Sequence, residues 1–228
     1  MSLRRFVLCF LLAFAAPAAA SADDVRIIGD SIGEGVHLAT NLPSPANRFN
    51  VAIYTSFIFK QLSEMPRGAT VFMSLGTNDA VGGAGALNVQ KRVEAIVAAA
   101  DAQGVKLYWL GPPCVLKPWE TYSKKLDEML KAELAGTSVT YVSLQDASFC
   151  DPSLHAGDGV HFTMAGYARM WQIAASAAGL PVVVAAASEH KGVVHGGRKT
   201  PANKTKKHKS KRKKPAAKPA TATTPAPN

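Results

Sequence analysis

Short β-rich runs alternate with stretches of helical periodicity along most of this chain, and that alternation limits the possible folds more than any other feature. The runs fall at 25–29, 50–54, 70–75, 106–110 and 139–144. Each is too short for a helix and is rich in β-branched, aromatic or other large apolar residues. Between the later runs, Val89, Val93, Ile96, Val97 and Ala100 recur at the spacing of one helix face. Tyr122, Leu126, Met129, Leu130 and Leu134 do the same, with Gly136 placed to stop that helix. A last helix is predicted to start at Thr163 as N-cap and to bury Met164, Tyr167, Met170 and Trp171. Strands separated by helices pair in parallel, because each connection must cross over the sheet. The predicted architecture is α/β, a three-layer α/β/α sandwich of about five parallel strands, occupying residues 23–188.

The two ends of the chain read differently. Arg4-Arg5, the apolar stretch 6–16 and the small residues Ala18-Ala19-Ala20-Ser21-Ala22 have the order of a secretory signal peptide, residues 1–22. Its apolar stretch is shorter than the roughly 20 residues a membrane span needs, which argues against a retained anchor. Cys9 has no small-residue lipobox before it, which argues against lipoprotein processing. Residues 189–228 hold 12 Lys/Arg and one acid, a net of +11, with almost no large apolar side chains. Such a segment cannot bury enough surface to offset its ordering entropy and is predicted to be disordered. Residues 23–188 hold 12 basic and 15 acidic residues, a net of −3, so the basic character belongs to the tail. Export argues against nucleic acid as its partner. It leaves acidic glycans, phosphate-bearing lipopolysaccharide or anionic lipid headgroups, or a tail that only confers solubility. Export also places Cys114 and Cys150, each following one of two neighbouring strands, where disulfides persist; two buried thiols are the alternative.

In open parallel sheets, working groups gather at the carboxyl ends of the strands. The first run ends Gly29-Asp30-Ser31-Ile32-Gly33, which can hold a serine hydroxyl out of a tight strand-to-helix turn. The same string fits the nucleophile elbow of α/β-hydrolases, but that elbow comes after several strands and this serine after the first. The third run ends Gly76-Thr77-Asn78-Asp79. There Asn78 can donate an amide N–H to a developing oxyanion, and Asp79 is expected to cap the next loop or helix. Glycines 82, 83 and 85 lack the Lys-Ser/Thr of a phosphate-binding loop. After the fifth run comes His155-Ala-Gly-Asp158-Gly-Val-His161, where an acid could fix the tautomer of a histidine base. His155, Asp158 and His161 are also metal-ligand types, but three residues apart in a glycine-containing loop they form no helical site. No metal or organic cofactor is expected. His37 and His155 are the alternative bases.

Nucleophile, base, orienting acid and oxyanion donor thus fall at the strand ends of one sheet. On these residues the chain resembles the SGNH (GDSL-type) hydrolase superfamily across residues 24–180: Gly29-Asp30-Ser31 matches its first block, Gly76-Thr77-Asn78-Asp79 its third and Asp158-Gly-Val-His161 its fifth. The resemblance implies a flavodoxin-like fold and serine esterase activity. It assigns Ser31 as nucleophile, Asp158 and His161 as its partners, and Ser31 and Asn78 as oxyanion donors. One departure stands out. The second block of that family has a glycine whose N–H is a further donor, and here Thr55 or Ser56 takes its place, with Thr55 as the expected donor. The resulting expectation is an exported, periplasmic or secreted esterase acting on short-chain esters, acetyl among them, on envelope or extracellular polysaccharide. The rival is a non-catalytic protein of the same fold that binds an envelope polymer.

Overall fold

The structure, a computed structural model, describes residues 25–40, 42–43, 51–81 and 89–182. The segments read as a signal peptide and as a basic tail lie outside the described residues. Strands β1 (Val25–Gly29), β2 (Thr70–Ser74), β3 (Lys106–Leu110) and β4 (Thr140–Val142) form a parallel sheet in the order β1-β2-β3-β4. Helices α1 (Ser31–Thr40), α2 (Phe57–Ser63), α3 (Thr77–Val81), α4 (Val89–Gln103), α5 (Glu120–Glu133) and α6 (Met164–Ala177) complete the α/β arrangement.

The strand sequences account for the layers. Successive side chains on a strand point to opposite faces, so a strand covered on both faces reads as a nearly unbroken apolar run. On one face, Ile28, Val71, Met73, Leu107 and Trp109 pack with Ile58 and Leu62 of α2, Val93 and Ile96 of α4, and Leu126 and Leu130 of α5. On the other, Val25, Ile27, Phe72 and Leu110 pack with Ile32 and Val36 of α1 and with Met170, Trp171 and Ala174 of α6. The α1–α6 contact is close because α1 carries Gly35. A Cβ there would fall 2.1 Å from the Tyr167 ring.

Four strands are found among the described residues where about five were expected. Of the run at 50–54, expected to be a strand, residues 51–54 are described and form a turn instead. The Thr55 N–H donates to the Ala52 carbonyl and the Ile53 N–H to the Asp79 carboxylate, so these groups are not available to a ladder. Val51, Ala52 and Ile53 are as buried as strand residues, which is why the run resembles one. The free edge of β1 is satisfied by other means. The Ile27 N–H donates to Pro43 O, and the Gln61 side chain takes both backbone groups of Gly29, as acceptor at 2.8 Å and donor at 3.2 Å. The last strand is also shorter than 139–144, ending at Val142.

The helices keep to their predicted stripes with two exceptions. Tyr122 is 44% exposed and Met164 54%, although both were expected inside. The buried stripe of α5 runs through Ser123, Leu126, Asp127 and Leu130, leaving Tyr122 at its margin. Met164 is the first residue of α6 and stays outside its buried set, which begins at Gly166 and Tyr167. Thr163 caps α6 as expected, its side chain accepting from the Gly166 N–H. Gly136 ends the α5 segment with φ of 77°, a conformation that favours glycine. Cys114 and Cys150, beyond the ends of β3 and β4, lie with sulfurs 2.09 Å and Cα atoms 5.3 Å apart.

The α1–α6 contact yields a stability prediction. Gly35→Ala places a methyl against a ring that is itself buried, so unfolding free energy should fall by about 1–3 kcal/mol, as for other overpacked sites. Urea unfolding of the variant beside the wild type measures it; an unchanged midpoint would show that the two helices part at no cost.

Candidate active site

The site begins where β1 meets α1. Gly29 has φ of 120°, and a Cβ on it would sit 2.0 Å from the Ser74 carbonyl oxygen, so only glycine fits this strand end. Asp30 comes next, buried, and holds the turn. Its Oδ1 accepts from the Ile32 N–H at 3.0 Å, the Gly33 N–H at 3.3 Å and the Ser74 hydroxyl at 3.0 Å. It therefore caps α1 and ties that helix to β2. Its Oδ2 is buried without a hydrogen-bond partner among the described residues. Burial pushes the carboxyl up to about 7, against the three bonds that favour the anion.

Ser31 is the first residue of α1, and its hydroxyl lies 2.9 Å from Nε2 of His161. Nδ1 of His161 is 2.6 Å from Oδ2 of Asp158, whose other oxygen accepts the backbone N–H groups of Val160 and His161, each at 2.9 Å. The bond to His161, aided by those N–H groups, holds the Asp158 carboxyl well below the usual carboxylate range. Such an acid stays ionised and keeps the Nδ1 proton toward itself, leaving Nε2 as an acceptor for the serine proton. The loop is braced from both ends: Ala156 N–H donates to His161 O at 2.8 Å, and Leu116 N–H, from the segment after β3, donates to Gly159 O at 2.8 Å. Ser31, His161 and Asp158, drawn from the two ends of the domain, thus form one hydrogen-bonded chain.

The other candidates take varied places. Asn78 is the second residue of α3 and gives one amide N–H to Val51 O at 2.8 Å; its second has no partner among the described residues. Asp79 caps backward rather than forward. Its carboxylate accepts the N–H groups of Ile53 and Tyr54, and burial pushes it up to about 6. Thr55 does not offer the expected N–H, because that group and its hydroxyl both donate to Ala52 O at 2.9 Å. The N–H of neighbouring Ser56 has no bond among the described residues. Neither alternative base reaches Ser31: His37 Nδ1 pairs with Leu42 O, and buried His155 places Nε2 2.6 Å from Phe149 O. His155 therefore does not converge with Asp158 and His161, and no metal-binding cluster occurs among the described residues.

Sequence reasoning missed Gln61 and Ser74, and saw Asp30 only as part of a turn. Gln61 left a usable signal, a polar residue on the apolar Ile58–Leu62 face of α2, where a buried amide needs partners. Ser74 left none, since its bond to Asp30 spans 44 residues.

A strand–Gly-Asp-Ser–helix turn at the carboxyl end of a parallel sheet, with an Asp–His loop bonded to its serine, defines a hydrolase of the SGNH kind. The chain belongs to the GDSL-like lipase/acylhydrolase family, whose profile matches residues 27–169, and it is a hydrolase acting on ester bonds. Comparison with curated proteins finds no matching sequence. Among solved structures, the fold is similar to that of an acetyl xylan esterase, AlAXEase, with 17% identity and a TM-score of 0.55, covering 67% of this chain and 98% of that one. A member of the lipolytic protein G-D-S-L family from Veillonella parvula DSM 2008 matches with 17% identity and a TM-score of 0.51, over 67% of this chain and 96% of that one. TesA matches with 18% identity and a TM-score of 0.52, over 70% of this chain and 99% of that one. Among the described residues, no helix is long and apolar enough to cross a membrane.

The two raised carboxyls make stability pH-dependent. Asp30 and Asp79 keep a proton in the folded chain up to about pH 7 and 6, whereas their ordinary value is 3.8. Between those limits the folded state binds more protons, so stability falls as pH rises from about 4 to 7. Asp158 is lowered and acts below that window. Asp30→Asn retains an Oδ1 acceptor and cannot ionise, so it should flatten the decline. Urea unfolding at intervals from pH 4 to 8 tests this, and an equally steep decline in the variant would show that Asp30 is not its source.

Proposed function

We propose that this chain is an exported serine esterase that removes short acyl groups, acetyl foremost, from envelope or extracellular polysaccharide. The observation that carries the reading is the relay from Ser31 Oγ through His161 to Asp158, at 2.9 and 2.6 Å. His161 Nε2 takes the Ser31 proton as Oγ attacks the ester carbonyl, and Asp158 stabilises the imidazolium. The tetrahedral oxyanion is met by the Ser31 N–H at the head of α1, by the second amide N–H of Asn78, and by a backbone N–H of the 55–56 turn. With the Thr55 N–H committed to Ala52, that last donor is Ser56. His161 then protonates the leaving alcohol, and the acyl-enzyme is cleared by a water that gives its proton to the same nitrogen. No metal or organic cofactor enters the scheme.

The substrate class is argued from access and compartment. The His161 and Asp158 side chains are 40% and 52% exposed, so an ester on a polymer can approach directly. The fold likeness to an acetyl xylan esterase is in keeping with an acetylated glycan. Export is supported by the sequence of residues 1–22 and by the approach of Cys114 to Cys150, read as a disulfide. The Lys-rich segment after residue 189 would then hold the enzyme near anionic envelope polymers or headgroups.

Hydrolysis of 4-nitrophenyl acetate and labelling by a fluorophosphonate test the reading. Ser31→Ala should abolish both, and retained turnover in that variant would sink the mechanism. Asn78→Ala should cost about 10²–10³ in kcat, the usual loss for one oxyanion donor. Ser56→Pro deletes one N–H at a residue whose φ of −78° suits proline, and a loss of similar size is expected; Ser56→Ala keeps the N–H and should be active.

The cysteine reading has its own check. Closing a loop with a sequence separation of 36 contributes about 4 kcal/mol in the chain-entropy model. The purified protein should show no free thiol at these positions until reduced, and reduction should lower the unfolding midpoint. Two titratable thiols in the untreated mature protein would exclude the bridge.

A further inference from the structure

Ser31 and His161 belong to separate pieces of the molecule. Ser31 heads α1, while His161 sits on the loop leading into α6. A displacement of about 1 Å between reacting groups can cost 10²-fold in rate, so something must hold these two pieces in register. Tyr167 touches both. Its ring stands on Gly35 of α1, one turn beyond Ser31, in the space a Cβ would fill: three ring carbons lie 2.1 to 2.4 Å from where that atom would be. On the other side the ring meets Phe162, the residue after His161, at 5.9 Å between centroids and 64° between planes. The side chain is buried at 6% exposure and reaches from a helix whose own start is fixed by the Thr163 cap.

The electrostatics of the phenol is in keeping with this placement of the ring. Burial raises the Tyr167 hydroxyl above its ordinary value, and the carboxylates of Asp30 and Asp158 add to that, while the Phe162 backbone N–H acts against it. The oxygen thus feels the capping acid of the serine turn and the acid of the histidine loop together. Phe162 is itself pinned beneath the loop, its ring 4.2 Å from that of His155 and 5.8 Å from that of Phe149. A shift of the Tyr167 ring would therefore pass to the peptide next to His161 with little slack.

We propose that Tyr167 is a positioning residue, whose ring wedges between Gly35 of α1 and Phe162 of the histidine loop and sets the separation of Ser31 from His161. The inference rests on the serine mechanism proposed above. It concerns the ring more than the hydroxyl, because the ring makes both packing contacts.

Steady-state hydrolysis of 4-nitrophenyl acetate by the mature protein, far below the unfolding midpoint and with the folded fraction checked by circular dichroism, tests it. Tyr167→Leu should lower kcat about 10–100-fold through misalignment, with KM within about two-fold and fluorophosphonate labelling of Ser31 slowed in parallel. Tyr167→Phe keeps the ring and should stay within about three-fold of wild type, since the contacts that align the pair survive. Met170→Ala, a cavity elsewhere on α6, should lose stability and keep its kcat. A folded Tyr167→Leu with wild-type kcat would overturn the proposal, and so would Tyr167→Phe falling as far as Tyr167→Leu. If Tyr167→Leu fails to fold, Gly35→Ala presses on the same ring from α1 and must reduce kcat; no reduction there overturns it too. Failure of the esterase reading is distinguishable, because wild type and Ser31→Ala would then be equally inactive or equally active.

Discussion

Everything at this site depends on the buried carboxylate of Asp30. Three donors from two elements converge on its Oδ1: two N–H groups from the first turn of α1 and the Ser74 hydroxyl at the end of β2. The turn that carries Ser31 is therefore fixed to the sheet by one side chain, and the direction of the serine hydroxyl is set with it. The approach is so close that Gly29 has no room for a Cβ beside Ser74 O, and Gly33 none beside Ile28 O, where it would lie at 2.7 Å. Small residues and a buried acid are two aspects of one requirement, that a helix start directly on a strand end with no intervening loop. An Oδ2 without a partner among the described residues is costly for an anion, and the raised pKa reflects that cost.

The same logic governs the segment opposite. Asn78 and Asp79 are neighbours with divided duties: Asn78 binds Val51 O, and Asp79 binds the Ile53 and Tyr54 N–H groups. Together they hold the 51–54 turn against α3, which is why that turn can forgo a strand ladder. A glycine is not required at Thr55 for this. Its N–H bends back onto Ala52, and the turn leaves the next N–H, that of Ser56, unbonded among the described residues.

Legibility in the sequence divided along the range of the interactions. The layered α/β order, the helix face of α4, that of α6 apart from Met164, and the Thr163 cap depend on contacts within a few residues, and periodicity exposes those. The strand-end blocks were legible because their residue types are unusual in such places. Residues 50–54 misled because burial, and not strand pairing, makes a run apolar; Val51, Ala52 and Ile53 are buried within a turn. Gln61 against Gly29 and Ser74 against Asp30 were hidden for the opposite reason. Each is a pair 32 or 44 residues apart, and nothing local marks the pairing.

The two acids nearest Ser31 and His161 divide by environment, and that division determines which can orient the histidine. Asp158 is half-exposed and accepts two backbone N–H groups besides the imidazole, all of which favour the anion. Asp30 is buried, has one oxygen without a partner among the described residues, and is pushed up to about 7. A neutral carboxyl cannot stabilise an imidazolium, whereas an ionised one can. Near neutral pH the environment thus assigns charge to the histidine loop and withholds much of it from the serine turn.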